Sequence, residues 1–211
     1  KTEKDAKQKK VKLSPVTAKT PSNYRGVLKN PTNIIIRNAT IWTSGQTGIL
    51  SNANMHIKNG RITAIGPISS LPNSPDTFII DAKGRHVTPG LIDCHSHSMI
   101  LGGVNEGTLP STAMVRIGDV VNSETENIYR QLAGGLTMAN LLHGSANPIG
   151  GQNAVIKLRF GELPDGMIFK KAPAGIKFAL GENVKQSNWG DDRKTRFPQT
   201  RMGVKTFFNN R

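Results

Sequence analysis

One cysteine in 211 residues rules out an intrachain disulfide. That permits a reducing compartment without requiring one. Aromatic residues make up only 5% of the chain, and none interleaves with the lysines as a base-stacking surface requires. No apolar run approaches the roughly 18 residues that a membrane-spanning helix needs, so no membrane span is expected. Acidic residues are few, 14 against 28 basic ones, for a net charge of +14. Such a surplus suggests an anionic partner, but its distribution weakens the suggestion. Residues 1–26 hold Lys1, Lys4, Lys7, Lys9, Lys10, Lys12, Lys19 and Arg25 against Glu3 and Asp5 alone. Much of the excess therefore reads as a solvated leader rather than a folded nucleic-acid surface. No secretory signal is visible, and Lys1 stands where a starting Met would. The expected compartment is the cytoplasm, or the exterior after removal of a signal peptide.

The most informative stretch is Thr88-Pro89-Gly90-Leu91-Ile92-Asp93-Cys94-His95-Ser96-His97. Pro-Gly punctuates the start, and Leu91-Ile92 supplies a buried strand. Residues i and i+2 of a strand share a face, so His95 and His97 can offer two imidazole nitrogens to one metal ion. A bare pair of alternate histidines often arises by chance. The Pro-Gly, the apolar strand and an acid two residues upstream argue for a metal site here. Imidazole suits zinc, iron and nickel, so ligand type does not choose the ion. Asp93 shares the face, either orienting a histidine ring or touching the metal edge, or else capping strand-end amides. Cys94 alternates to the opposite face and reads as a small buried residue.

This motif resembles the first-strand signature of the amidohydrolase superfamily, which includes urease, hydantoinases, imidazolonepropionases and Xaa-Pro dipeptidases. The matching features run from about Asn33 to about Gly203. The resemblance implies a β-rich segment that leads into a (β/α)₈ barrel at this motif. It also implies hydrolysis of amide, cyclic amide or peptide C–N bonds at one or two divalent ions. Zinc is the first choice, with iron, manganese or nickel as alternatives. A small-molecule or peptide amide substrate and a homo-oligomer are the implied partners. A complete barrel takes about 250 residues, more than this chain holds. The expected fold is thus α/β: an N-terminal β-sandwich segment plus the first part of a TIM-like barrel, completed by more of the same chain or by a second one. The expected boundaries are a basic tail at 1–30, a β-rich segment at 31–88 and a partial barrel at 89–211.

Local patterns fill in this outline. Ile34 to Trp42 is rich in β-branched residues and predicts a strand. The runs flanking Asn59-Gly60 alternate, and Asn-Gly between alternating runs predicts a hairpin. Phe78 to Asp81 and His86 to Thr88 predict two short strands, separated by Lys83-Gly84. As part of a sheet whose other strands come from elsewhere, this segment has edges that need cover. Met114 to Val121 reads as a buried strand or short helix. Ser123 and Glu126 fit a capping box at the start of a helix that stops at Gly134-Gly135. Leu136 to Leu142 predicts a buried strand, which completes a βαβ unit. Ala154 to Phe160 and Gly175 to Gly181 predict further strands.

Lys177 lies inside the last of these apolar runs, where a charged ammonium is costly to bury. From the residues alone, a lysine that snorkels to the surface is the simpler reading. The resemblance adds another. Gly175-Ile176-Lys177-Phe178-Ala179-Leu180 is similar to the fourth-strand segment of hydantoinase- and urease-like members, where a CO₂-carboxylated lysine bridges two metals. Lys177 is the implied bridge, with Glu182 as the alternative. His143 to Asn153 reads as a glycine-containing loop after a strand, on the face where barrel active sites are built. It resembles a loop near the substrate pocket of imidazolonepropionase-like members. His143, Asn147, Gly150, Gly151 and Gln152 are the implied substrate contacts, although a lone histidine is more often structural. His56 and His86 fall in the β-rich segment and read as structural. Trp189, Asp191, Asp192, Arg193 and Arg196 could line a substrate path or coat a surface.

Complete family members add later histidines and an aspartate. Here the last histidine is His143, and Asp191 and Asp192 come too early to serve as that aspartate. No catalytic residue is assigned within the chain, and the 211 residues alone are expected to be inactive. Two other readings stand beside the enzyme: an inactive amidohydrolase-like assembly partner, and an anion or nucleic-acid binder acting through the basic tail.

Overall fold

The computed structural model describes residues 31–67, 75–190 and 196–210. The basic tail and Asp191, Asp192 and Arg193 lie outside the described residues. The chain divides into two compact units at Thr88–Pro89.

The first unit is a five-stranded sheet. Its order is β3 (Arg61–Gly66), β2 (Ile49–Lys58), β1 (Asn33–Trp42), β4 (Thr77–Asp81), with β5 (His86–Val87) also pairing β1. The Asn59-Gly60 turn forms as the sequence predicts, with φ of 50° and 71° at its two residues. Both lie in the left-handed region that a type I′ hairpin requires. One face carries the core of Ala39, Ile41, Ala53, Met55 and Ala82. On β4, Phe78, Ile79 and Ile80 are half-exposed.

The second unit begins with β6 (Leu91–Ser96). The chain passes through a 3₁₀ turn at Ile117–Val120 and α1 (Glu126–Ala133), then returns as β7 (Leu136–Leu141), parallel to β6. The βαβ expectation is met, but the cap lies further along. Thr125, not Ser123, is the N-cap, and its hydroxyl accepts from the Asn127 amide at 3.3 Å. Glu126 then becomes the first helical residue and pairs with Arg130 one turn on, at 2.6 Å. Glu126 thus forms an i,i+4 ion pair in place of a reciprocal capping box.

After β7 the alternation changes. β8 (Ile149–Gln152) and β9 (Ala154–Lys157) are separated by Asn153 alone. β9 runs antiparallel to β7, closing a sheet in the order β6-β7-β9, while β8 pairs antiparallel with β10 (Ile176–Phe178) in a second sheet. Two helices follow β9 in sequence, α2 (Pro164–Met167) and, after β10, α3 (Arg201–Asn209). The core sits between the β6-β7-β9 sheet and α1, with Ile128, Ala139, Leu141, Ile156 and Met167 all fully buried. Each large aliphatic side chain there contributes about 1.5–3 kcal/mol of burial free energy.

Candidate metal centre

The arrangement starts with strand geometry. β6 ends at Ser96, and alternation brings the rings of His95 and His97 together edge to face, with centroids 4.9 Å apart. Their Nε2 atoms are 3.0 Å apart. His97 Nδ1 lies 2.9 Å from the Leu142 carbonyl at the end of β7. A carbonyl oxygen only accepts, so Nδ1 carries the proton and donates it. Nε2 is left with its lone pair. This is how metal-binding histidines are commonly oriented.

Lys177, from β10, brings a third nitrogen. Its Nζ is 3.2 Å from His95 Nε2. The single Nε2 of His95 cannot both donate to His97 and accept from Lys177. The three nitrogens therefore share no consistent hydrogen-bonding scheme, whereas an electron-pair acceptor at their centre satisfies the two imidazoles at once. Two nitrogens bound tetrahedrally to one zinc lie roughly 3.3 Å apart, close to the observed spacing. The residues thus fit a divalent ion through two ligands. Among the described residues, no third His, Cys, Asp or Glu joins them.

The electrostatics follow from these contacts. The Lys177 ammonium beside His95 holds its imidazole below the usual histidine range, with burial and His97 acting in the same sense. Partial burial likewise lowers Lys177 itself. The strand carrying Lys177 is not buried as the sequence suggests: Ile176 and Phe178 are exposed, and only Lys177 between them is half-buried. Three residues on a sheet edge are too few to be covered on both faces.

Several other residues sit differently from expectation. Asp93 turns to its own backbone, accepting from the His95 amide at 3.0 Å. It thereby caps the strand end instead of orienting a ring. Cys94 is exposed, because the face of β6 that it shares with Ile92 has no covering layer among the described residues. Glu182 is drawn off by two cations, forming ion pairs with Lys185 and with Arg201 at 3.0 Å. These contacts, the hydrogen bond from Lys185 foremost, hold its carboxyl below the usual range.

The glycine-containing loop is packed closely against its own protein surroundings. His143 is 1% exposed. Its Nδ1 donates to the Gly144 carbonyl at 2.9 Å, and its Nε2 accepts from the Glu106 amide at 2.8 Å. Both ring nitrogens are spent. Asn147 is fully buried, and its amide donates to Thr112 Oγ1 at 2.7 Å and to the Leu109 carbonyl at 3.0 Å. A Cβ on Gly150 would lie 2.5 Å from His143 Nδ1, and one on Gly151 would lie 2.7 Å from a Val115 methyl. These glycines leave room for the His143 ring and the Val115 side chain. Gln152 is exposed and donates to the Ala113 carbonyl at 3.0 Å.

His56 and His86 are structural. His56 Nδ1 lies 2.9 Å from Thr63 Oγ1, and Trp42 Nε1 donates to His86 Nδ1 at 2.7 Å. Arg196 is buried and donates to the Ala146 carbonyl at 2.6 Å, so it braces the loop instead of coating a surface. Sequence reasoning passes over Asn140, whose amide donates to the Cys94 carbonyl at 3.2 Å. A polar residue inside the apolar Leu136–Leu142 run is the signal that could have found it. Met99 also escapes notice. It is buried and held at φ 61° just past His97. Such a conformation costs of order 1–3 kcal/mol and clusters at functional sites.

No family model matches the chain. It is 32% identical over 203 residues to amidohydrolase tasK of Hapsidospora irregularis, covering 80% of this chain and 20% of that protein. An imidazolonepropionase of Brucella anthropi is 38% identical over 80 residues, covering 36% of this chain and 20% of the relative. An amidohydrolase structure from Thermotoga maritima superposes with a TM-score of 0.69 at 33% identity, covering 84% of this chain and 46% of that one. The chain spans about a fifth of those curated relatives' length and under half of that structure. Members of the superfamily generally use divalent metals. No helix among the described residues is long and apolar enough to cross a membrane. In sequence and in its sheet-rich α/β fold, the chain is similar to amidohydrolases over part of their length.

Proposed function

We propose that the protein carrying this chain is a metal-dependent hydrolase of amide, cyclic amide or peptide C–N bonds, and that this chain supplies the first metal ligands. The observation that carries the reading is the convergence of His95 Nε2, His97 Nε2 and Lys177 Nζ within 3.0 and 3.2 Å of His95 Nε2. His95 and His97 would hold one divalent ion, zinc by preference for a nitrogen-rich donor set. Such an ion supplies Lewis acidity towards a carbonyl and makes water a nucleophile near neutral pH.

The residues' own work is positional. The Leu142 carbonyl fixes the tautomer of His97 and aims its lone pair. Asp93 holds the strand end from which both histidines project. Lys177 would become an oxygen ligand by carboxylation, its neutral amine attacking CO₂ and releasing a proton. That converts a cation beside two histidines into an anion suited to a second metal. A general base for the attacking water is not assigned among the described residues, and further barrel strands would supply it. The relatives named imidazolonepropionase and adenine deaminase make cyclic C–N substrates the first to try.

The test uses the full-length protein that contains this chain. Purified without chelator, it should carry at least one equivalent of divalent metal and hydrolyse members of a panel of cyclic amides, N-acyl amino acids and dipeptides. Dipicolinate treatment should abolish that turnover and zinc should restore it. A metal-free protein with no turnover under any metal added would refute the reading.

A further inference from the structure

The three converging nitrogens come from two different sheets: His95 and His97 from the end of β6, Lys177 from β10, which pairs only with β8. No strand pairing joins β10 to β6 or β7. Two asparagine side chains bridge the gap. Asn140 of β7 donates its amide to the Cys94 carbonyl at 3.2 Å, next to His95. Its Oδ1 accepts from Asn153 Nδ2 at 2.8 Å. Asn153 Oδ1 in turn accepts from the Gly175 amide at 2.7 Å, two residues before Lys177. The Asn153 amide also donates to the Gly175 carbonyl at 2.9 Å. Asn153 is the one residue between β8 and β9, where the chain passes from one sheet to the other.

Each link has a fixed sense. The Cys94 carbonyl can only accept and the Gly175 amide can only donate, so both asparagine side chains are locked in one orientation. We propose that Asn140 and Asn153 are positioning residues that act in series, setting the spacing between the His95–His97 pair and Lys177 through the chain Cys94–Asn140–Asn153–Gly175. This rests on the metal reading above and adds the device that makes the site one unit.

Acting in series has a consequence that independent contacts lack. Cutting either link releases the same tie, so cutting both costs little more than cutting one. The chemistry also says what each variant does. Asn153→Asp keeps the acceptor for Gly175 but sets a carboxylate oxygen against Asn140 Oδ1. Asn140→Asp keeps the acceptor for Asn153 but sets a carboxylate oxygen against the Cys94 carbonyl. Gly175→Ala reaches the tie from its far end without removing either amide, since its Cβ would press on Asn153 Oδ1 at 3.2 Å.

The experiment measures zinc affinity of the full-length protein by competition with a chromophoric chelator. The visible spectrum of the cobalt-substituted protein and a thermal melt are recorded for each variant. Perturbing groups that orient ligands typically costs 10–100-fold in metal affinity. Asn153→Asp, Asn153→Ala and Asn140→Asp should all fall in that range, and Gly175→Ala should shift the cobalt spectrum in the same direction. The Asn140→Ala/Asn153→Ala double variant should match the worse single variant within about threefold. Retention of wild-type affinity and spectrum by the Asn153 variants overturns the proposal, and so do losses that multiply in the double variant. Variants whose affinity loss tracks a collapsed melt, while Gly175→Ala stays wild-type in spectrum, also overturn it. Failure of the wild-type protein to bind zinc at all refutes the metal reading itself, a result distinguishable from all of these.

Discussion

Replacing Gly150 with alanine should be among the most damaging single-methyl additions in the second unit. The new Cβ would stand 2.5 Å from His143 Nδ1 and 2.9 Å from its Cγ, far inside contact distance. The ring cannot swing aside, because His143 is 1% exposed and both nitrogens are bonded to backbone, to Gly144 and Glu106. Overpacking a dense core costs about 1–3 kcal/mol. Losing one of the ring's hydrogen bonds and leaving a buried polar group unpaired adds about 1–3 kcal/mol. The expected loss is therefore roughly 2–6 kcal/mol. Gly103 provides the control, since nothing lies within 4 Å of its added Cβ and an exposed substitution of this kind changes stability by less than about 0.5 kcal/mol. Chemical denaturation of Gly150→Ala and Gly103→Ala against the parent protein measures the difference. Equal midpoints for the two variants would refute the claim that the glycines exist to admit His143, and would return the loop to consideration as a ligand cradle.

Other outcomes follow from the same geometry. His97→Ala should remove the bound divalent metal, and elemental analysis checks it. Ile128→Ala should cost about 2–5 kcal/mol, since this α1 side chain is 0% exposed in the main core, and urea titration measures the loss. Asn38 and the Lys83 amide hold the Asp81 carboxyl below its ordinary value of 3.8. A carboxyl depressed in the folded state contributes stability above that value and loses it as pH falls through the folded one. Asp81→Asn should therefore lower the melting temperature at neutral pH and leave it unchanged well below pH 3.8.

Much of this architecture was legible in the sequence because it rests on local rules. The Asn59-Gly60 hairpin needs two left-handed residues, and the sequence supplies two that tolerate it. The His95–His97 pairing needs only the alternation of a strand. What stayed hidden depends on long-range partners. Lys177 meets His95 across 82 positions of sequence. Glu182 is captured by Arg201 and Lys185, a contest that no local pattern reveals. The steric part played by the glycines of the 143–153 loop is visible only once His143 and Val115 are in place. Ser123 and Thr125 are both good helix caps, and the sequence alone does not choose between them.

A crystal of the full-length protein grown with zinc and measured at the zinc absorption edge tests the central claim most directly. The account predicts an anomalous peak about 2.0–2.1 Å from both His95 Nε2 and His97 Nε2, with the Leu142 carbonyl still bonded to His97 Nδ1. A zinc-supplied crystal with no peak between those two rings, or with the rings facing apart, would contradict it.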